Sequence, residues 1–401
     1  MHLSGRRPLM ALIYLLSFVS AIGNPVVLPS LPFIMQDFQL APLEMGMIIS
    51  VYALPGVFVI PLYGMLSDRL GRRPLLFAAL FLCGAGSLLC WAAPSFFWLL
   101  VGRALQGLSI TPLEAMSNTL VSDITQGRER LKLVTRVAAV QYFSIALTPV
   151  IVTWLLNLGS WRYGFLFAVA LGFGSLLLCL PVEIPYRPSK SVGLRLYGRH
   201  LRELLSSSRV LSLFSVRLGS SLLIFGAVYP HLPLFVDEGL HLSPENTAML
   251  FSLYAAGMFT GALLTQWCTA RLAPRSIGFL GGAQLAVSML LLLTATDLRQ
   301  AAPALLLVGT GSGMLNSCCA GHVSLTATPD TRGSIMSAYS TMFRLGQAVA
   351  PLLFGLCYQA GSFNGLFGSG LALAVALTVA AVLSFAYADR MEHSGNLPPH
   401  E

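Results

Sequence analysis

Apolar residues arrive along this chain in blocks of about twenty, separated by shorter polar stretches. At about 1.5 Å of rise per residue, one such block covers the roughly 30 Å of a bilayer's hydrocarbon core. Lipid faces most sides of such a helix, so no amphipathic period is required of it. The pattern predicts twelve spanning helices, at 9–31, 44–66, 74–93, 96–121, 133–157, 162–182, 210–236, 246–269, 275–296, 301–325, 335–358 and 363–388.

Polar positions orient this set. Loops retained in the cytoplasm carry the excess of Lys and Arg. With the N-terminus inside, nineteen of the 24 basic residues fall on that side, two (Arg162 and Arg299) on the other and three (Arg103, Arg217 and Arg344) within spans. Both termini are therefore expected in the cytoplasm. The longest connector, 183–209, follows Pro181, contains Pro185 and Pro188, and carries Arg195, Arg199 and Arg202 at helical spacing. It reads either as an ordinary basic connector lying on an anionic leaflet or as a lipid-binding helix. A weak internal repeat has its midpoint there. An offset of 202 pairs Ala146 with Ala348, Pro149 with Pro351, Gly159 with Gly361 and Phe165 with Phe367, and an offset of 201 aligns Leu28–Pro32 with Tyr229–Pro233. The expected architecture is an all-α membrane protein of twelve transmembrane helices in two pseudo-symmetric six-helix bundles, 1–182 and 210–401, the second ending in a short cytoplasmic tail.

Composition removes other classes. With 55% hydrophobic and 10% charged residues, a soluble fold could not cover its apolar surface. The net charge of +8 is spread singly between apolar blocks and never interleaves with an aromatic surface, so no nucleic-acid partner is expected. All seven cysteines lie in or at the edges of apolar blocks with no CxxC spacing, which implies neither a disulfide framework nor a metal site. Arg6 and Arg7 before an apolar run, with Ala21–Gly23 behind it, imitate a secretory signal, but eleven further spans make this segment the first helix instead. No nucleophile set or phosphate loop occurs, so neither an enzyme nor an ATP-driven pump is expected.

Between the second and third spans the chain reads Gly64-Met-Leu-Ser-Asp68-Arg69-Leu-Gly71-Arg72-Arg73. Gly64 lets a neighbouring helix approach, Gly71 permits a turn that other residues resist, and Asp68 needs a cationic or helix-dipole partner. This loop resembles the GxxxDRxGRR signature of the major facilitator superfamily at every specified position, and span count, central linker and halves extend the resemblance over the whole chain. Within that superfamily the chain looks most like the twelve-helix drug:H+ antiporters. Arg103-Ala-Leu-Gln106-Gly107 is similar to their RxxQG motif, and Ser122-Asp123 also resembles their pattern. The resemblance implies that Asp68, Arg72 and Asp123 form a charge network closing the inner gate, with Gly64, Arg69, Gly71 and Arg73 completing the gating loop. Two departures weaken obligatory proton exchange. The glycine-rich GPxxGG of the fifth span is here Ala146-Leu-Thr148-Pro149-Val-Ile-Val152-Thr153, and the first span carries neutral Asn24 where many relatives have an acid.

An ionisable group inside a span is costly and faces a cavity or a partner. Glu114 is the one acid well inside an apolar span, eleven residues after Arg103, which is about 20° around a helix and about 16 Å along it. Glu114 reads either as the site where a proton and the substrate compete or as a latch to an Arg of the next loop. Arg103 reads either as the partner of an anionic substrate group or as a donor to the first helix around Pro25. Asn118 shares the Glu114 face. Asn24, Gln141, Tyr142, Tyr229, Tyr254, Asn316 and Arg344 are further candidates to line the cavity. Arg217 is placed at the interface, with a side chain long enough to snorkel, and His231 and His322 fall near span ends. At the 202 offset Arg103 meets Leu305, Glu114 meets Asn316 and Asp123 meets Leu325, so coupling and gating are expected in the first half and a more neutral wall in the second.

The chain is thus expected to be a secondary transporter that moves a small organic molecule by alternating access, efflux driven by the proton gradient being the leading direction. An importer of a metabolite is the alternative, and a non-transporting sensor a further one. Expected partners are the small-molecule substrate, protons and membrane lipids. The chain is expected to need no cofactor, to work as a monomer and to sit in a bacterial inner membrane. Asp68→Asn is expected to abolish transport while the protein stays in the membrane; flux at the wild-type rate from vesicles carrying this variant would defeat the gating assignment.

Overall fold

A computed structural model describes residues 3–125, 127–182, 184, 198, 202, 206–325 and 332–393. Most of the 183–209 connector and the end of the C-terminal tail lie outside them, as do the surroundings of Gly64 and the side chains of Asp68, Arg69 and Asp123. The described elements are helices: α1 (Leu3–Ala21), α2 (Leu31–Phe38), α3 (Pro42–Leu70), α4 (Arg72–Trp91), α5 (Phe96–Ile124), α6 (Gly127–Leu156), α7 (Arg162–Cys179), α8 (Ser208–Leu223), α9 (Pro244–Thr269), α10 (Pro274–Thr294), α11 (Leu298–Leu325) and α12 (Arg332–His393).

Among the described residues, 10 segments are long and apolar enough to cross a membrane. One of them, Ser334–Ala386 in α12, runs 53 residues and breaks at Gly361 and Ser362, whose backbones leave the helical region, so it makes two crossings. The shorter apolar stretch Pro8–Ala21 of α1 supplies one more, and the expected twelve result. Two compact units divide the chain: Met1–Leu194 with Leu242–Ser252, and Arg195–His241 with Leu253–Glu401.

The first expected span, 9–31, is not one helix. α1 stops at Ala21, residues 22–27 form turns, and a 3-10 turn at Leu28–Ser30 leads into α2. Pro25 has no N–H to give back to the preceding turn, and Gly23 tolerates the changed path. In the second unit, α8 loosens at the corresponding place into π turns at Ile224–Val228 and Phe235–Gly239, around one helical turn at Leu232–Leu234. Each of these first spans then ends on a left-handed residue, Gln39 (φ 53°) and His241 (φ 53°), placed 202 apart. In both cases Leu-x-Pro follows and opens the next helix.

Within each unit the helices approach through small residues, as expected where lipid offers no hydrophobic drive to association. A Cβ at Gly107 of α5 would lie 2.0 Å from the Tyr52 carbonyl oxygen of α3, and one at Gly309 of α11 would lie 2.2 Å from the Tyr254 carbonyl oxygen of α9. This is one contact made twice, both partners displaced by the repeat offset. Around it the first unit packs aliphatic side chains such as Leu9, Ile13, Leu16, Leu80 and Leu113, all fully buried. One end of that unit is tied by Asp37, whose carboxylate accepts from Trp161 Nε1 (3.0 Å) and from Arg162 (2.9 Å). Arg162 also donates to the Ala93 carbonyl (3.1 Å). The Trp161 bond, followed by that from Arg162, holds the Asp37 carboxyl below the usual carboxylate value.

Gly107→Ala is expected to lower the thermal unfolding midpoint of the purified protein, by an amount equivalent to about 1–3 kcal/mol, because the added carbon strikes backbone that must move. Gly174→Ala is the control: nothing lies within 4 Å of its added carbon, and its midpoint should match the wild type.

Candidate functional site

Arg103 reaches from α5 into the break of the first span and is wholly buried. Its Nε donates to the Ile48 carbonyl (3.2 Å), NH1 to the Gly23 carbonyl (2.8 Å) and to Gln106 Oε1 (2.8 Å), and NH2 to Asn24 Oδ1 (2.8 Å). The Tyr52 ring covers the guanidinium at 4.2 Å. Gln106 is oriented in turn: its Nε2 donates to Ser87 Oγ (2.8 Å), which donates to the Cys83 carbonyl (2.6 Å). The i, i+3 spacing of Arg103 and Gln106 puts both on one helix face, while the turns after Ala21 leave the Gly23 carbonyl free of a helical donor. A planar guanidinium with five donors meets oxygens lying in several directions; a lysine ammonium, at the end of a single stem, cannot. Beside the network lies a cavity of about 10 Å³, roughly the room of one water, bordered by Gly23, Ser87, Gln106 and Ala168.

The structure therefore joins Arg103 to Asn24 and adds Ile48, Tyr52, Ser87 and Gln106 to them. Of the two roles open for Arg103, it displays donation to the first span beside Pro25. Glu114 and Asn118 stand apart. Both are exposed on α5, Asn118 donating back to the Glu114 carbonyl (3.2 Å). Gln141 and Tyr142 are half-buried on α6. In the gating loop, Gly71 adopts φ 84° and ψ 162°, a conformation suited to glycine, and lets the chain turn directly from α3 into α4. Arg72 is buried at the start of α4, and Arg73 donates to the Leu180 carbonyl (2.9 Å), tying that helix to the end of α7.

In the second unit Tyr229 and Tyr254 meet with ring centroids 5.7 Å apart. Tyr229 packs at a tilt against Phe225 (4.6 Å), and Phe225 meets Phe343 edge to face (5.4 Å). Asn316 is engaged by Arg217, whose NH1 donates to its Oδ1 at 2.6 Å. The same guanidinium lies 4.1 Å over Phe343 and 5.0 Å over Tyr339. An amide and two rings on neighbouring helices thus hold the Arg217 head. Spans 210–236, 246–269, 275–296, 301–325 and 335–388 contain Arg217 and Arg344 in their interiors, Arg275 at the edge of one, and no Asp or Glu. Arg344 is buried, with NH1 on Gln347 Oε1 (3.0 Å). His231 is buried too, its Nδ1 2.8 Å from the Gly226 carbonyl, the oxygen that Pro230 leaves without a helical donor.

Known proteins resemble this chain in sequence and in fold. The family model of the Major Facilitator Superfamily matches residues 13–351 and 210–401. The multidrug transporter MdfA of Escherichia coli O6:H1 is 25% identical over 370 residues, covering 90% of this chain and 88% of that protein. An uncharacterized MFS-type transporter of Schizosaccharomyces pombe is 32% identical over 148 residues, and an MFS-type efflux pump of Pseudozyma antarctica 34% over 120 residues. Those two matches cover 37% and 30% of this chain but only 24% and 22% of the relatives, so the chain spans about a quarter of their length. Among solved structures, a bacterial homolog of the human lysosomal transporter Spinster superposes with a TM-score of 0.78 at 15% identity, with 100% of both chains covered. The nucleoside transporter NupG gives a TM-score of 0.81 at 14% identity, covering 94% of this chain and 100% of that one.

Arg103→Lys is expected to destabilise the protein by at least about 2 kcal/mol, since one ammonium leaves several buried oxygens without a donor. Thermal unfolding in detergent checks this; an unchanged midpoint would show that the network contributes nothing to the fold.

Proposed function

Because the chain belongs to the Major Facilitator Superfamily, and is thereby a multi-pass membrane transporter and not an enzyme, we propose that it exports a small organic molecule by alternating access in exchange for protons. One observation carries this: the first span is broken at Gly23-Asn24-Pro25, and the break is held by Arg103 of the RxxQG stretch. Irregular backbone at membrane depth persists only where protein satisfies it, and broken helices in corresponding positions of two halves point to a transporter's binding region. Similarity to a multidrug transporter over nearly the whole chain supports efflux.

Glu114 takes the proton. It is the one acid well inside a span and is exposed, so its charge can respond to which side supplies water. Asp68, Arg72 and Asp123 close the gate, and breaks or bends at Pro25 and Pro149 let the first and fifth spans follow. The protein works as a monomer without a cofactor, with both termini in the cytoplasm of a bacterial cell and the spans in its inner membrane. Import remains the second reading, favoured by neutral Asn24 and by Thr148, Val152 and Thr153, buried side chains where antiporters have glycines.

The test is flux of a lipophilic fluorescent dye in proteoliposomes under an imposed pH gradient, comparing wild type with Glu114→Gln. Export coupled through Glu114 predicts gradient-driven movement opposite to the proton flow in the wild type and none in the variant. Indifference of both to the gradient ends the coupling claim, a retained response in the variant moves the role to another group, and movement with the protons establishes import.

A further inference from the structure

Three arginines lie within spans, and their surroundings differ in kind. Arg103 is fully buried, and its Nε, NH1 and NH2 all donate to protein oxygens. Such a side chain is structural: each of its nitrogens donates to protein and none of it is exposed. Arg217 is half-exposed, and one side-chain oxygen, Asn316 Oδ1, takes a hydrogen bond from it, through NH1. Its Nε is buried without any partner. The bonded NH1 is thus set aside from the Nε edge of the fork, the edge with which guanidinium grips a carboxylate through two parallel bonds.

Charge balance leads to the same place. Arg217 stands nine residues into α8, about 14 Å along the helix and about a third of the way through the apolar span Ser208–Gly239. A cation there is normally met by an acid, yet the apolar spans of the second half contain none, and they carry Arg344 besides. What surrounds Arg217 instead is aromatic: Phe343 at 4.1 Å, itself half-exposed, and Tyr339 at 5.0 Å. From Phe343 the rings continue through Phe225 and Tyr229 to Tyr254. Asn316 Oδ1 also accepts from the Tyr339 hydroxyl (3.2 Å), so the amide that positions the guanidinium is itself fixed.

We propose that Arg217, positioned by Asn316 and flanked by Phe343 and Tyr339, binds the carboxylate of a small aromatic organic acid, making the second bundle an anion-recognising wall for the cargo. The carboxylate neutralises the guanidinium through its Nε edge, and the planar body of the ligand packs on the exposed face of Phe343. The inference rests on the transport function proposed above only in treating this ligand as cargo.

Equilibrium binding tests it without reference to direction or protons. The full-length protein in phosphatidylcholine nanodiscs is titrated with 1-naphthoate and with 1-naphthamide, an uncharged analogue of the same shape. The wild type should bind naphthoate at least about tenfold more tightly, the scale of one charge-assisted bidentate contact. In Arg217→Gln the naphthoate Kd should rise to that of naphthamide, whose own Kd stays within about twofold. Equal affinities in the wild type, or a preference for naphthoate that survives Arg217→Gln, would overturn the proposal. Loss of both ligands in that variant would mean a lost fold, and Arg217→Lys then decides: keeping the charge but not the fork, it should reduce the preference by about threefold or more, and an unreduced preference overturns the assignment. Failure of proton-coupled export leaves this result standing, and failure here leaves an exporter of uncharged cargo.

Discussion

Backbone polar groups in a membrane have no water to turn to, and this constraint governs the break in the first span. Once Gly23-Asn24-Pro25 abandons the helix, its carbonyl oxygens must be met from elsewhere in the protein. Arg103 meets the Gly23 carbonyl and the Asn24 side chain with one planar group, and Gln106, Ser87 and Tyr52 hold that group in place. The charge is accommodated by neutral oxygens and a ring face because guanidinium spreads it over three nitrogens and tolerates weak hydration. Through Nε, NH1 and NH2, the guanidinium ties the broken first span to α3 and α5.

The second unit faces the same problem and answers it with other atoms. Pro230 orphans the Gly226 carbonyl, and His231, five residues along, takes it up locally. The surrounding chain widens into π turns, so no arginine is required from the helix equivalent to α5, and Leu305 occupies that place, fully buried. The end tie diverges likewise: Asp37 with Trp161 and Arg162 in one unit, Phe235 against Phe363 in the other. What the halves keep in common is backbone: two left-handed residues 202 apart, and two glycines each pressed on a tyrosine carbonyl. Sterics of close helix contact leave glycine without a substitute, whereas hydrogen-bond needs can be met by many side chains.

This difference explains where function is distributed. Ionisable groups collect in the first half by sequence, and those inside the spans of the second half are basic. Arg217 and Arg344 give it positive charge with no acid in its spans, and aromatic rings lie beside both guanidinium groups. A membrane span tolerates an arginine either by exhausting its donors or by presenting it to something that carries negative charge.

The chain's apolar blocks, its basic loops and the Gly64–Arg73 motif were enough to determine span number, fold class and family, because the bilayer imposes length and charge rules that act on each segment separately. They also singled out Arg103, Asn24, Tyr229, Tyr254 and Asn316, since a polar residue inside an apolar block is conspicuous wherever it lands. Which of these touch was not legible. Arg103 and Asn24 are 79 positions apart and Arg217 and Asn316 are 99, and helix periodicity carries no information about which faces of different helices meet. Only tertiary packing decided that Arg103 is buried on the broken first span, that Arg217 is held by Asn316 with its Nε unpaired, and that Glu114 is exposed, because exposure and hydrogen-bond partners belong to the assembled helices and not to any one of them.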